Sequence, residues 1–348
     1  MKKRILIPFL IIALAAIFII FSETATESAL EAMRNAVSNI IPALFPYMVI
    51  STLIIESGAA DILGRILPIS QLLKLPKCAS APMIIGAICG FPLGARAAAE
   101  LYEKGYLSKT QAEVLISAAN NTGPTFIIFV IGSIYWQSAS FGIYLYFAQL
   151  VCVLLASLTV NRVIFPIKEF ETELKPVITI KPFLTAFSDA IKNAAVSSLN
   201  ICGFITFFAV LLTVEKEIFF FLPDRFHLFL SAVSEFSEAA KDSANIGGVF
   251  GAFFCGAAIG WSGLSVLCQT AACISNSHLS LKRYVAVKTT EGLLLGGSSA
   301  LYAHITNLRQ IQSCMSEQES VEILPTVIIL SVLVLIYFIC KIKKRKYA

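Results

Sequence analysis

The chain has 348 residues, 57% of them apolar and 14% charged, with a mean hydropathy of +0.79 and a net charge of +5. Soluble domains carry about 25% charged residues, so this composition excludes an ordinary water-soluble domain. Its basic residues sit mostly at the ends of apolar runs, where lipid headgroups are the partner and nucleic acid is not.

Residues 5–21, 36–55, 141–165, 194–214 and 323–340 are apolar runs close to the roughly 20 residues a helix needs to cross a bilayer. The alternation that an outer-membrane barrel would show is missing. The expectation is an all-α, multi-pass membrane protein. The opening run, "MKKRILIPFLIIALAAIFIIF", lacks a small-residue cleavage site and reads as a retained anchor rather than a signal peptide. With the acidic, amphipathic "SETATESALEAMRNAV" that follows, it makes residues 1–35 an anchor and linker.

The first half of the remaining chain spans 36–165. Its first run contains Pro42 and Pro46, which kink a membrane helix rather than end it. A connector, 56–77, leads to "MIIGAICGFPLGARAAAELY". The arms 79–89 and 95–103 are each too short to span a bilayer at about 1.5 Å per residue. Around the tip 90–94 they predict a re-entrant helical hairpin. "NNTGP" at 120–124 then cuts the next apolar segment and predicts a broken helix, and 141–165 reads as an uninterrupted span.

A polar linker, 166–190, precedes the second half, 191–340, in which 215–245 reads as a polar insert. Two short apolar arms around "GWSGLS" (260–265) predict a second hairpin, "EGLLLGGSS" a break in the following span, and 323–340 a closing span before the basic tail 341–348. Each half then has three crossings, an odd number, which inverts one half relative to the other. Inverted repeats with discontinuous helices are the architecture of secondary transporters. The cations of the link (Arg162, Lys168, Lys175, Lys181, Lys192) outnumber those of 215–245 and favour a cytoplasmic N-terminus. Seven spans then put the basic tail on the other side, against the same rule.

The candidate site is built from the tips and breaks. At the first tip, Gly90, Phe91, Pro92 and Gly94 expose backbone, and Arg96 follows at the start of the second arm. A guanidinium there suits a carboxylate bidentately and adds to the positive end of a half-helix. Snorkelling, or pairing with Glu100 four residues on, accounts for it equally. Asn120, Asn121, Thr122 and Gly123 offer amides, a hydroxyl and freed backbone donors, or simply a loop. At the second tip, Ser262 and Ser265 beside Gly263 can cap the next half-helix, with Gln269 one turn on. Trp261 can stack on an aromatic ring or anchor at the interface. Glu291 lies within a span and can carry a coupling proton, or pair with Lys288.

Nine cysteines without a Cys-x-x-Cys pair, most of them inside apolar runs, read as buried thiols, and three scattered histidines complete no metal site. No cofactor is called for. No nucleophile–base pair or phosphate loop points to an enzyme.

"NIIPALFPYMVISTLI", "GFPLGARAAAELYEKGYLSKTQAEVLISAANNTGPTFI" and "GWSGLSVLCQTAACI" together resemble the YlbJ-type sporulation integral membrane proteins of the nucleoside-recognition (Gate) domain group. The resemblance runs over about residues 30–300, and more distantly the layout looks like concentrative nucleoside transporters. The insert matches mainly around "SEFSEAAKD", where Glu235 has no assigned role. The resemblance implies two Gate repeats, 36–165 and 191–340, in a protein of the outer forespore membrane. There it would carry dipicolinic acid, a small aromatic dicarboxylate, during stage V of sporulation. Transport of a nucleoside or another small metabolite, or a scaffolding role in a sporulation complex, are the alternatives.

Overall fold

A computed structural model describes residues 2–57, 59–166 and 182–308. The expected closing span 323–340, the basic tail 341–348 and most of the linker 166–190 lie outside the described residues. Among the described residues, all regular structure is helical. Helices α1 (Lys2–Ile20) and α2 (Ser22–Asn35) meet at a sharp bend, their apolar portions turning by 93° at Phe21. Helix α3 (Ile41–Glu56) keeps Pro46 inside it. A short helix α4 (Ala59–Ile66) and two single 3₁₀ turns follow.

Helices α5 (Ser80–Cys89) and α6 (Leu93–Glu103) pack side by side as a hairpin whose tip is only residues 90–92. The arms close on each other and on the following helix at Gly86 and Gly94. A Cβ at either would fall within 2 Å of the Ala119 carbonyl oxygen, at 1.6 and 1.9 Å. Helix α7 (Lys109–Ala119) starts at a capping box, Ser108 Oγ accepting from Gln111 N–H while Gln111 Oε1 accepts from Ser108 N–H. It ends where the break was expected. After residues 120–123 the chain resumes as a π-helical segment, Thr125–Tyr135. Helix α8 (Ala139–Thr159), prolonged by a π turn to Ile164, forms an uninterrupted 26-residue apolar helix.

Helix α9 (Phe183–Ile218) is 36 residues long and packs along α2 and α3. The expected polar insert is different from a loop. Helices α10 (Asp224–Ser234) and α11 (Phe236–Ile246) fold back on each other through the single residue Glu235. Lys216 and Ser231 both bind Asp242, at 3.0 and 2.8 Å, and lock this hairpin to the end of α9.

Two expectations for the second half are corrected here. The arms around "GWSGLS", α12 (Gly248–Trp261) and α13 (Gly263–Cys273), are not a hairpin but consecutive parts of one 26-residue apolar span. Ser262, at φ 68°, interrupts it. The helix that contains "EGLLLGGSS", α14 (Lys282–Ile305), is continuous. Its glycines serve packing: a Cβ on Gly260 of α12 would lie 2.7 Å from the Gly292 Cα, and one on Gly296 would lie 2.9 Å from the Phe253 carbonyl oxygen. Small residues that let membrane helix backbones approach explain the motif without a break.

Among the described residues, three helices (Ala139–Ile164, Phe183–Ile218 and Gly248–Cys273) are long and apolar enough to cross a membrane, and the bent α1–α2 pair adds a fourth if it counts as one. The protein is therefore a helical, multi-pass membrane protein.

Candidate functional site

The site begins where the first hairpin tip meets the first break. Gly90 ends α5 at φ 81°, a backbone conformation that suits glycine, and a Cβ there would lie 2.8 Å from the Gly123 nitrogen. Tip and break thus touch backbone to backbone. A break inside apolar surroundings leaves peptide groups that need partners. Gln149 of α8 supplies them, its Oε1 accepting from Thr122 N–H at 3.2 Å and its Nε2 donating to the Thr122 carbonyl at 3.0 Å. Asn120 donates to Thr270 Oγ1 on α13 (2.9 Å) and to the Tyr284 hydroxyl on α14 (3.0 Å). Asn121 donates to the Ala118 carbonyl at 2.9 Å and accepts from Lys288 Nζ at 3.2 Å. Lys288 in turn pairs with Glu291 at 2.8 Å, both side chains fully buried.

The tip of the α10–α11 hairpin meets the interruption at Ser262, between α12 and α13, in the same manner. Glu235 caps α11: one carboxylate oxygen accepts from the backbone N–H groups of Ser237 and Glu238, each at 2.9 Å, and from the Ser237 hydroxyl. A carboxylate is well placed at a helix N-terminus. Gly263, at φ 80°, lies over this tip, and a Cβ on it would come within 2.9 Å of the Ser234 carbonyl oxygen. Trp261 Nε1 donates to the Val233 carbonyl at 3.1 Å, so its indole is bound to the second hairpin. The expected capping by serine is corrected: Ser262 Oγ donates back to the Ile259 carbonyl at 3.2 Å, and α13 starts without a side-chain cap. Ser265 is bonded by Gln269 at 3.4 Å.

The two tips meet each other. Phe91 and Phe236 stand edge to face at 4.9 Å between ring centroids, and Phe126 joins Phe236 at 5.3 Å. Beside them lies a cavity of about 620 Å³. Of the residues expected at the site, Gly90, Phe91, Thr122, Gly123 and Gln269 line it. Phe126, Phe129, Tyr135 and Phe236 add aromatic wall, and Thr125, Ser237 and Asn35 add polar groups. Among the described residues, its ionisable carboxylates are Glu235 and Glu238, and no lysine or arginine lines it. Pro92, Gly94, Asn120, Asn121, Trp261, Ser262, Gly263, Ser265 and Glu291 are not among the lining residues. They form the tip, the breaks and the buried bonds that hold them.

Arg96 also stands outside the lining. Of its alternative roles the structure forms the pair with Glu100, at 3.1 Å, and adds bonds to the Asn193 carbonyl (3.0 Å) and the Ser197 hydroxyl. It ties the second arm of the first hairpin to α9.

The sequence reading leaves out Gln149, Thr270 and Tyr284, and it leaves Glu235 without a role. Gln149 and Tyr284 sit in otherwise helical runs, and their signal is a polar group on an apolar face. For Glu235 the signal was available: a carboxylate three residues ahead of a glutamate, with serine and phenylalanine between, is a helix start.

No family model and no solved structure matches the chain. Among curated proteins, the sporulation integral membrane protein YlbJ of Bacillus subtilis (strain 168) is similar. It is 23% identical over 324 residues, which cover 80% of this chain and 79% of that protein. The similarity extends across both halves, so the homology supports assignment of this chain to the YlbJ-type sporulation integral membrane proteins.

Proposed function

We propose that the protein is a membrane transporter of a small aromatic solute, with dipicolinate as the substrate, acting in the outer forespore membrane of a sporulating cell. The observation that carries this reading is the cavity at the junction of two hairpin tips and a helix break. Pockets at such junctions of discontinuous helices hold the substrate in secondary transporters, because the backbone groups freed there can bind it. In this reading α5–α6 and α10–α11 are re-entrant, and the order hairpin, broken helix, span occurs twice. First come α5–α6, α7 with the π-helical segment, and α8, then α10–α11, α12–α13 and α14. Each unit then crosses twice, and the single crossing of α9 between them makes them inverted repeats.

The aromatic wall of Phe91, Phe126 and Phe236 suits a flat ring in offset or edge-to-face contact. Thr122, Thr125 and Gln269 offer hydrogen bonds to ring substituents. The assignment of dipicolinate comes from the YlbJ-type resemblance.

A second reading, an uncharged aromatic solute such as a nucleoside, is favoured by one specific observation. Among the described residues, Glu235 and Glu238 line the cavity and no lysine or arginine does. A dianion there meets like charge, whereas a nucleoside does not.

Uptake of labelled dipicolinate and labelled uridine, measured in parallel in liposomes with and without the purified protein, tests both. Protein-dependent dipicolinate uptake is expected. Uridine uptake alone would establish the second reading, and uptake of neither would overturn the transport reading.

A further inference from the structure

The Lys288–Glu291 pair is fully buried and lies outside the cavity lining. Its ammonium donates to two oxygen acceptors, 2.8 Å from Glu291 Oε2 and 3.2 Å from Asn121 Oδ1. The orientation of the Asn121 amide is fixed by its own donor, because Nδ2 bonds the Ala118 carbonyl and thereby turns Oδ1 towards the lysine. Glu291 Oε1 is buried without a partner. Among the described residues, Tyr284, on the same helix, and Cys152 of α8 also interact electrostatically with this carboxylate. Neither carries a positive charge.

A buried carboxylate needs a compensating cation, and removing one partner of a buried pair leaves the other uncompensated. An ammonium is a compact point charge with no fixed bonding plane, unlike a guanidinium. Carboxylate and amide oxygens around such a point are also the donors that hold free hard cations. The two acceptors are placed by the first break and by α14, so whatever cation sits here joins the two.

We propose that Lys288 is a tethered counter-ion filling a monovalent-cation site built by Glu291 and Asn121. The native protein then needs no free cation at its first break, and excision of the lysine side chain leaves a site that takes a small monovalent cation. The inference concerns stability and cation binding, so it holds or fails independently of the transport reading.

The test uses thermal melting of the purified full-length protein in detergent, in choline, sodium or ammonium chloride at equal ionic strength. The chains compared are wild type, Lys288→Ala, Lys288→Met and the double variant Lys288→Met/Glu291→Gln. Wild type should melt alike in all three salts. Lys288→Ala should melt lower in choline and recover saturably with ammonium, the ion closest to the group removed, because ligand binding to the folded state raises its stability. Lys288→Met should melt lower and show no recovery, since its side chain fills the space without charge. The double variant should melt above Lys288→Met in choline, because the unpaired carboxylate has gone. A recovery of equal size in Lys288→Met, or none in Lys288→Ala, overturns the proposal. So does failure of Lys288→Ala to fold in ammonium when the double variant folds.

Discussion

The phenyl ring of Phe91, at the tip of the first hairpin, meets that of Phe236, at the tip of the second, edge to face at 4.9 Å and 87°. The residues are 145 positions apart, so this contact exists only if both hairpins reach the same point in the fold. Leu228, Ala232 and Val266 pack around it as part of one apolar cluster. Aromatic pairs of this geometry contribute about 0.5–1.5 kcal/mol beyond their buried area. A double-mutant cycle of Phe91→Ala and Phe236→Ala, read by unfolding in detergent, should give a coupling of that size. Strictly additive losses would mean that the tips are held apart in solution.

Gln149 carries both hydrogen bonds to the Thr122 peptide. Gln149→Leu keeps the bulk and leaves a buried N–H and a buried carbonyl unpaired, at about 1–3 kcal/mol each. The melting temperature should fall clearly, while Gln149→Leu protein that remains folded keeps its helix content by circular dichroism. An unchanged melting temperature would show that another group satisfies the break.

The first hairpin and first break were legible in the sequence because Gly90, Pro92, Gly94 and Gly123 interrupt apolar helices, and only backbone that must bend or approach closely tolerates them there. The second hairpin was not. Its tip, Ser234 to Phe236, has neither glycine nor proline, and its arms are polar enough to read as a loop. Glycines misled in the other direction in α14, where Gly292 and Gly296 face α12 and permit close packing. Part of the cavity wall is beyond local reading, since Asn35, Tyr47 and Ile205 come to it from α2, α3 and α9 only through tertiary packing.

Arg96 is bonded to Glu100, the Asn193 carbonyl and the Ser197 hydroxyl in this fold. Arg96→Gln strips Glu100 of its partner and frees the contacts to Asn193 and Ser197, and the other carboxylate oxygen of Glu100 is already unpartnered. Hydrogen bonds to charged groups are worth about 1.5–3 kcal/mol. Stability should fall by that order, and Arg96→Gln/Glu100→Gln should regain part of it. The apparent affinity for transported solute should change by less than about twofold. A tenfold loss of affinity with unchanged melting would restore Arg96 as an anion ligand.

Glu235 is, with Glu238, one of the two carboxylates lining the cavity among the described residues, and it is the buried one. Glu235→Gln keeps an oxygen to accept from the N–H groups of Ser237 and Glu238 but removes the negative charge. Losing the charge at the helix N-terminus costs about 0.3–1 kcal/mol. Two unit charges 4 Å apart interact by about 4 kcal/mol at an effective dielectric constant of about 20. The ratio of dipicolinate to uridine uptake should therefore rise by about tenfold or more in Glu235→Gln. An unchanged ratio would mean that the solute does not come near this carboxylate.

The proposal that solute is carried through the cavity at the junction of the two tips is tested most directly by tethering them. Phe91→Cys/Phe236→Cys, in a background with the nine native cysteines replaced, is reconstituted in liposomes and treated with a short, cleavable bis-maleimide. Dipicolinate uptake should proceed in the untreated protein, fall to the protein-free level once the tips are joined, and return when the tether is cleaved. Uptake that continues at the untreated rate in fully cross-linked protein would contradict the account.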